Sequence, residues 1–318
     1  MQHFDAQRRA LMLGALAFAA NASAQPAYPS KLIRLVVPFP PGGTSDLVGR
    51  LFASGLSKRL KQPVIVENKP GGGTVIGTDH VAKSAPDGYT LLLGIPGLAI
   101  NPAVRKDSLP YNTERDLEAV CDVVEMPMVV YASVESGFKS LADVIAAAKK
   151  DPGTVTYGSA GENSTGYFSM RLLEQACGVR LLHVPFQGSA ASMNALLGGH
   201  LQLNCDTSYL GAPYVSTGKI VGIATLAPSR SSLIPNVPTA VEVGVQVESA
   251  AWWTIFARRG TPPAVSEQIN AALRSTLQDP EVRQTLEKDG FTLTGRTIAE
   301  SQARFKAELA KMAAAVRG

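Results

Sequence analysis

Short apolar runs rich in β-branched residues alternate along the chain with stretches of helical period, and this alternation predicts α/β architecture built on parallel strands. The runs that read as strands are 33–38, 63–67, 90–94, 128–132, 155–158, 181–184, 201–205, 220–225 and 252–257. Helical spacing marks 46–60, 141–150, 165–176 and 189–197. In the first of these, Leu47, Val48, Leu51, Phe52, Leu56 and Leu60 form one apolar face, as a helix packed on a sheet requires. Beyond Pro263 the one strand-like run lies near Phe291–Leu293, so the tail is expected to be helical and packed on the outside.

A chain of 318 residues is longer than one core usually supports, which gives about two domains. No repeat and no low-complexity linker divides it. The two domains are therefore expected to share more than one crossing, with the first sheet resumed late, near Trp252, and a cleft left between the lobes. The expected division is 25–126 with 249–318 as one lobe and 127–248 as the other. In open parallel sheets the ligand crevice lies beyond the carboxyl ends of the strands.

The 45% of hydrophobic and 18% of charged residues exclude a disordered chain or a charged coiled coil. A net charge of +4, from 30 Lys and Arg against 26 Asp and Glu, is not gathered into any run of five like charges, so nucleic acid is not an expected partner. Cys121, Cys177 and Cys205 lie far apart; they can make at most one disulfide and do not suggest a zinc site. No cofactor motif is present, and a monomer is expected.

The first two dozen residues differ from the rest. Arg8 and Arg9 precede an apolar run at 10–20, and Ala22, Ser23 and Ala24 supply the small residues of a signal-peptidase site, so residues 1–24 read as an export signal cut before Gln25. Eleven apolar residues are short of the ~20 needed to span a bilayer. The arginine pair also admits a twin-arginine reading. No lipoprotein cysteine stands at the cut, and a periplasmic protein carrying a net charge of +3 is expected.

Three strand-to-helix loops carry candidate chemistry. They are Pro38 to Asp46, containing Pro41, Gly42, Gly43, Thr44 and Ser45; Gly94 to Pro102, containing Gly97 and Leu98; and Gly158 to Thr165, containing Ser159, Ala160, Gly161, Asn163 and Ser164. Glycine lets backbone N–H groups approach a ligand, and a helix start presents unpaired donors at the positive end of its dipole. None of the three loops contains Lys or Arg. A carboxylate bound here is held by N–H groups, hydroxyls and water. Thr44 or Ser45 alternatively caps the following helix, with Asp46 in its first turn. The segment Lys69 to Thr74 lacks the order of a phosphate loop and reads as a tight turn into a helix. Asp206, at the end of an apolar run, either faces the cleft as an acceptor for a ligand amine or amide, or caps a helix.

Enzyme signatures are absent: there is no G-x-S-x-G, no H-E-x-x-H and no kinase set. His80, His183 and His200 do not have metal-site spacing. A secreted α/β hydrolase remains an alternative, although no nucleophile and base are recognisable as a pair.

Taken together, the Tyr28-Pro29 start, Leu35-Val36-Val37-Pro38-Phe39, Pro41-Gly42-Gly43-Thr44-Ser45-Asp46, Val66-Glu67-Asn68-Lys69-Pro70-Gly71 and Ala85-Pro86-Asp87-Gly88-Tyr89-Thr90 resemble the solute receptors of tripartite tricarboxylate transporters, the Bug or TctC-like proteins. So do Tyr157 to Gly161, His183 to Gly188, Leu196 to Gly199, and Val237-Pro238-Thr239. The resemblance runs from about residue 28 to 310. It implies a two-lobed periplasmic-binding-protein fold of type II-like, Venus-flytrap form, closing over a small organic acid, an amino acid, or an aromatic carboxylate or amide. It further implies that the loops at 41–45 and 159–164 hold one carboxylate through backbone groups and two ordered waters, and that Asp206 meets the amine of an amino-acid ligand. Gly188, from the His183 to Gly188 motif, joins the expected contacts. The implied partners are the membrane subunits of such a transporter, or a sensor kinase.

Departures from the family pattern shape the expected ligand. Ile95-Pro96-Gly97-Leu98 stands where hydroxyl-rich residues are common, Asn163-Ser164 and Tyr167 stand in place of Gly-Ser and His, and Phe186-Gln187 replaces Tyr-Lys. The expected pocket is more apolar and less cationic than a citrate site favours.

Overall fold

The computed structural model describes residues 27–105 and 108–315; the export signal read at 1–24 lies outside them. The elements in chain order are β1 (Ile33–Val37), α1 (Thr44–Leu60), β2 (Val64–Asn68), α2 (Val75–Ala82), β3 (Thr90–Gly94), α3 (Gly97–Arg105), α4 (Thr113–Asp116) and β4 (Leu117–Ser133). There follow α5 (Leu141–Lys150), β5 (Thr156–Ser159), α6 (Thr165–Cys177), β6 (Leu182–Pro185), α7 (Ser189–Leu197), β7 (Leu203–Thr207), α8 (Ser208–Ser216) and β8 (Ile220–Thr225). The chain ends with β9 (Ala250–Arg258), α9 (Pro263–Gln278), α10 (Pro280–Lys288), β10 (Thr292–Leu293) and α11 (Ile298–Ala315).

Two sheets share one strand. In the first, the order is β2-β1-β3-β9-β4. In the second, β4 lies between β8 and the series β7-β5-β6. β4 runs through both: Leu117 to Pro127 pair with β9, and Met128 to Ser133 pair with β7 and β8. The change of partner falls at Pro127, a residue with no N–H to give to a ladder. Each sheet with its helices makes one lobe.

Strands β1, β2 and β3 are parallel, as are β5, β6 and β7, but β9 is antiparallel to β3 and β4, and β7 and β8 are antiparallel to β4. The purely parallel expectation is thus corrected. Each parallel group arises from strand-helix-strand units, whereas the crossing strands enter from the opposite direction. The return of the chain to the first sheet near Trp252 is observed as β9.

Other differences have local causes. Residues 117–127 were not expected as strand, because Glu118, Asp122 and Glu125 interrupt the apolar run. α3 and α8, which are not among the helices expected above, each hold a proline, Pro102 and Pro213, a residue that disfavours a helix interior. The turn at 71–74 leads into α2 with four successive positive φ values, at Gly71, Gly72, Gly73 and Thr74. β10 forms where the tail's strand-like run lies, and pairs with β4. All three cysteines are free, with Cys121 and Cys205 buried.

One hydrophobic cluster joins both sheets: Leu35, Phe52 and Leu91 of the first lobe and Tyr157, Leu173 and Leu203 of the second meet through Val123 to Val130 of β4. Asp122, fully buried on β4, ties the tail to this strand. Its carboxylate accepts from Thr254 Oγ1 at 2.9 Å and pairs with Arg296 and with Arg304 Nε at 3.4 Å, while its N–H donates to Ser301 Oγ at 2.9 Å. Removing one partner of a buried charge cluster leaves the others uncompensated. Asp122→Ala should lower unfolding stability by about 3 kcal/mol, measured by urea titration of the purified protein; a loss below about 1 kcal/mol would show that water serves Arg296 and Arg304 as well as the carboxylate does.

Candidate functional site

The loop after β1 delivers the start of α1 to the space between the lobes. Gly43 is the N-cap and no side chain caps the helix, so the capping alternative for Thr44 and Ser45 is not what the structure shows. Asp46 instead braces the loop: it accepts from Gly42 N at 3.2 Å, Arg50 Nε at 2.9 Å and Asn68 Nδ2 at 3.0 Å. Burial pushes the Asp46 carboxyl up, but these bonds outweigh it and hold it below its ordinary value. Freed from capping, Ser45 Oγ accepts from Trp253 Nε1 at 3.0 Å, and Thr44 Oγ1 lies 2.8 Å from Thr207 Oγ1. That last bond is buried and links the two lobes.

The second lobe presents a matching helix start. Ser164 caps α6, accepting from Tyr167 N at 3.3 Å. The next turn lies directly on β7: a Cβ on Gly166 would meet the carbonyl oxygen of Cys205 at 2.2 Å, so only glycine allows this approach. Asp206 follows at the end of β7, 4% exposed, and accepts from Thr207 N at 2.8 Å. Burial raises its carboxyl, opposed by bonds from Ser189 and Thr207.

Between these starts lies a cavity of about 840 Å³, counting its open mouth. Of the expected contacts, Pro41, Gly43, Thr44, Ser45, Ala160, Ser164, Gly188 and Asp206 stand on its wall. Six others do not. Gly42 lies in the loop backbone braced by Asp46. Leu98 is buried in a cluster with Ile100 and Trp252, and Gly97 packs against Thr74 and the carbonyl of Asn163. Ser159 is fully buried, and Asn163 is buried at a left-handed φ of 60°. Gly161 borders a neighbouring cavity of about 760 Å³, with the 71–74 turn, Arg105 and Glu162.

The wall also carries residues that were not expected as contacts: Phe39, Pro40, Ile95, Met128, Thr165, Gly166, Gln187, Ser189, Ala190, Ala191, Thr207, Ala251 and Trp253. The period of two along β9 signals Ala251 and Trp253, once Trp252 is assigned to the other face. Met128 carries no such signal, because it faces the cavity only where β4 changes sheets.

Asp206 is the only ionisable side chain among the lining residues, and no Lys or Arg accompanies it. Ser45 and Ser164 each accept a bond from the protein, which leaves each hydroxyl hydrogen for an acceptor in the cavity. Trp253, Ile95, Met128 and Ala251 supply an apolar flank. The site can therefore solvate one small anion by hydroxyls and helix starts, meet one donor at Asp206, and pack an apolar body.

The structure also makes a serine–histidine pair that spacing alone does not reveal. Ser159 Oγ lies 2.8 Å from His183 Nε2, and the His183 ring sits between Tyr157 and Tyr167, at centroid distances of 4.9 and 4.6 Å. Burial lowers the His183 pKa, more than nearby Glu162 raises it. Ser159 Oγ also bonds the carbonyl of Gly161 at 3.0 Å, is off the cavity wall, and fastens the end of β5 beneath the 159–164 loop.

The sequence profile described as "Tripartite tricarboxylate transporter family receptor" matches residues 48–316. A UPF0065 protein of Agrobacterium vitis is 35% identical over 296 residues, covering 92% of this chain and 85% of its own. Among solved structures, MatC from Rhodopseudomonas palustris with bound malate is 30% identical, with a TM-score of 0.86, covering 91% of this chain and 100% of its own. The R. palustris protein Rpa4515 with adipate is 30% identical with a TM-score of 0.85, covering 91% and 98%. The periplasmic binding protein BugD gives the same identity, score and coverage. The fold is thus that of two-lobed periplasmic binding proteins.

A buried Asp206 whose pKa is raised binds its proton more tightly in the folded than in the unfolded chain, so stability is greatest below the ordinary aspartate value of 3.8 and falls as pH rises through the folded value. Asp206→Asn removes that slope. Thermal unfolding of the ligand-free variant should lie above wild type near neutral pH, with the gap closing as pH falls toward 3.8; a gap independent of pH would show that this carboxylate is not its source.

Proposed function

This chain belongs to the tripartite tricarboxylate transporter receptor family, and from that premise we propose that it is a periplasmic receptor capturing one small solute with a single carboxylate or amide and an apolar or aromatic body. The observation that carries the reading is the pairing of Ser45 and Ser164. These are hydroxyls at helix starts in opposite lobes, each oriented by one bond accepted from the protein and each with its hydrogen uncommitted, facing one cavity with no cation. A carboxylate there receives two hydroxyl donors and two helix dipoles. Asp206 then takes an amine or amide N–H of the solute, and Trp253, Met128 and Ile95 cover the rest.

The lobes in this reading are 25–126 with 249–318, and 127–248. Their hinge lies where Met128, Leu226 and Ser249 exchange backbone bonds: Leu226 N to Met128 O at 2.7 Å, Ser249 N to Leu226 O at 2.7 Å, and Met128 N to Ser249 O at 3.3 Å. Closure about this point brings Ser45 and Ser164 to the solute from both sides, and the closed form is what the membrane subunits of the transporter read. The export signal read at 1–24 supports a receptor outside the cytoplasm. Among the described residues no helix is long and apolar enough to cross a membrane.

Malate and adipate accompany the two R. palustris structures, which supports a carboxylate ligand here. Each additional carboxylate is less favourable in this cavity, because it approaches Asp206 with no cation to offset the repulsion. Thermal shift should therefore rank amino acids, aromatic monocarboxylates and their amides above citrate. A ligand at ~100 times its Kd adds about 2.7 kcal/mol. Stabilisation by citrate and by none of the others would overturn this assignment.

A further inference from the structure

The cavity of about 760 Å³ beside the solute cavity lies at the outer edge of both sheets. The 71–74 turn on one wall follows β2, the outermost strand of the first sheet, and Pro185 on the other ends β6, the outermost strand of the second. The hinge is on β4, four strands from β2 and three from β6. At about 4.8 Å per strand these walls stand roughly 15–20 Å from the hinge, so a rotation of about 10° moves them apart by about 3 Å. That is enough to make or break a contact between side chains.

The first wall is built by α3. Asn101 and Arg105 stand four residues apart, on one face of that helix. Asn101 Nδ2 donates to Gly73 O at 2.8 Å and to Thr74 Oγ1 at 3.2 Å, which fixes the turn after β2. The same turn touches the second lobe. A Cβ on Gly73 would lie 2.7 Å from the carbonyl oxygen of Glu162 and 3.5 Å from Arg105 Nη2, so glycine at this position lets the guanidinium of one lobe and the backbone of the other gather around it.

Arg105 and Glu162 are thus opposite charges from opposite lobes on the walls of one space, and Arg105 is the one cation lining it among the described residues. Neither side chain has a hydrogen-bond or ion-pair partner among those residues, whereas nearby Lys69 and Glu67 pair with each other and Arg50 pairs with Asp46. His183, which also lies near Glu162, offers no rival charge at neutral pH, because burial lowers its pKa.

We infer that Arg105 and Glu162 form a strap across the outer edge of the cleft, pairing when the lobes close and parting when they open, so that ionic strength sets how much of the receptor is closed before a solute arrives. This regulation rests on the hinge closure proposed above and not on the chemistry of the solute. A water-exposed pair multiplies the closed-to-open ratio by about 1.5- to fivefold. Salt weakens it, since the screening length falls from about 30 Å at 0.01 M to about 3 Å at 1 M.

Double electron–electron resonance on the solute-free protein tests the strap. Spin labels go on Lys58→Cys of α1 and Lys149→Cys of α5, both exposed, in a Cys177→Ala background; Cys121 and Cys205 are buried. Two distance populations are expected. Arg105→Glu and Glu162→Arg should each lower the closed-to-open ratio about 1.5- to fivefold, and the two together should restore it. Raising NaCl from about 0.02 to about 0.5 M should lower the ratio of the unreversed protein and raise that of either single reversal. Populations indifferent to reversal and to salt would overturn the strap and leave the hinge standing. Single reversals that lower the ratio without rescue by the double would overturn the pairing, since they would then act on the turns themselves. One population throughout would overturn the strap together with closure of the empty receptor. The solute ranking predicted above is untouched by any of these results.

Discussion

Because Leu117 to Pro127 of β4 pair with one sheet and Met128 to Ser133 with the other, neither sheet can slide along its strands without dragging its neighbour. A slip of one residue would also turn every side chain of β4 to the wrong face. Rotation about the change of partner remains the soft motion. Pro127 stands at that point, and the three backbone bonds among Met128, Leu226 and Ser249 gather the second crossing beside the first. Asp122 then locks the helical tail onto the same strand, so the outer layer of the first lobe moves with it as one body.

The proposed capture of an anion without a cation follows from the same geometry. A Lys or Arg in a closing cleft would have to be desolvated at each closure, at a cost of several kcal/mol unless perfectly paired. Neutral hydroxyls and helix starts cost less to desolvate and are already oriented. Trp253 positions Ser45, the α6 backbone positions Ser164, and Asp46 braces the loop in front of α1. In the proposed reading, selectivity comes from what the walls refuse: a second negative group near Asp206, and a bulky polar body against Trp253 and Met128.

Much of this was written in local pattern. The two βα series, the glycine loops and the absence of cations in them follow from residues 33–60 and 155–197 alone, and the family resemblance supplied the two-lobed form. Chain length and the late strand near Trp252 had already pointed to two lobes with shared crossings; what local pattern could not supply is which distant residues pair. The long β4 was hidden by Asp122, Glu118 and Glu125; the burial of Asp122 makes sense only once Arg296 and Arg304 arrive from the far end of the chain, while the two glutamates stay half-buried, bonded to Ser266 and Arg304. Gly97 and Leu98 looked like cavity residues because their loop follows a strand end, but α3 begins there and turns Leu98 into the core. Met128 and Trp253 reached the wall through the crossing geometry. Ser159 and His183, 24 residues apart, meet because β5 and β6 are paired neighbours.

The buried bond between Thr44 and Thr207 joins the lobes through the protein's own hydroxyls, without drawing on any group of a solute. Such a bond contributes about 1 kcal/mol net, enough to multiply the population of empty, closed molecules about fivefold. A partner that recognises closure alone would meet these empty molecules as false signals. In the proposed receptor the hydroxyl pair would therefore set a noise floor, and substitutions at either threonine would tune the contrast between loaded and idle molecules.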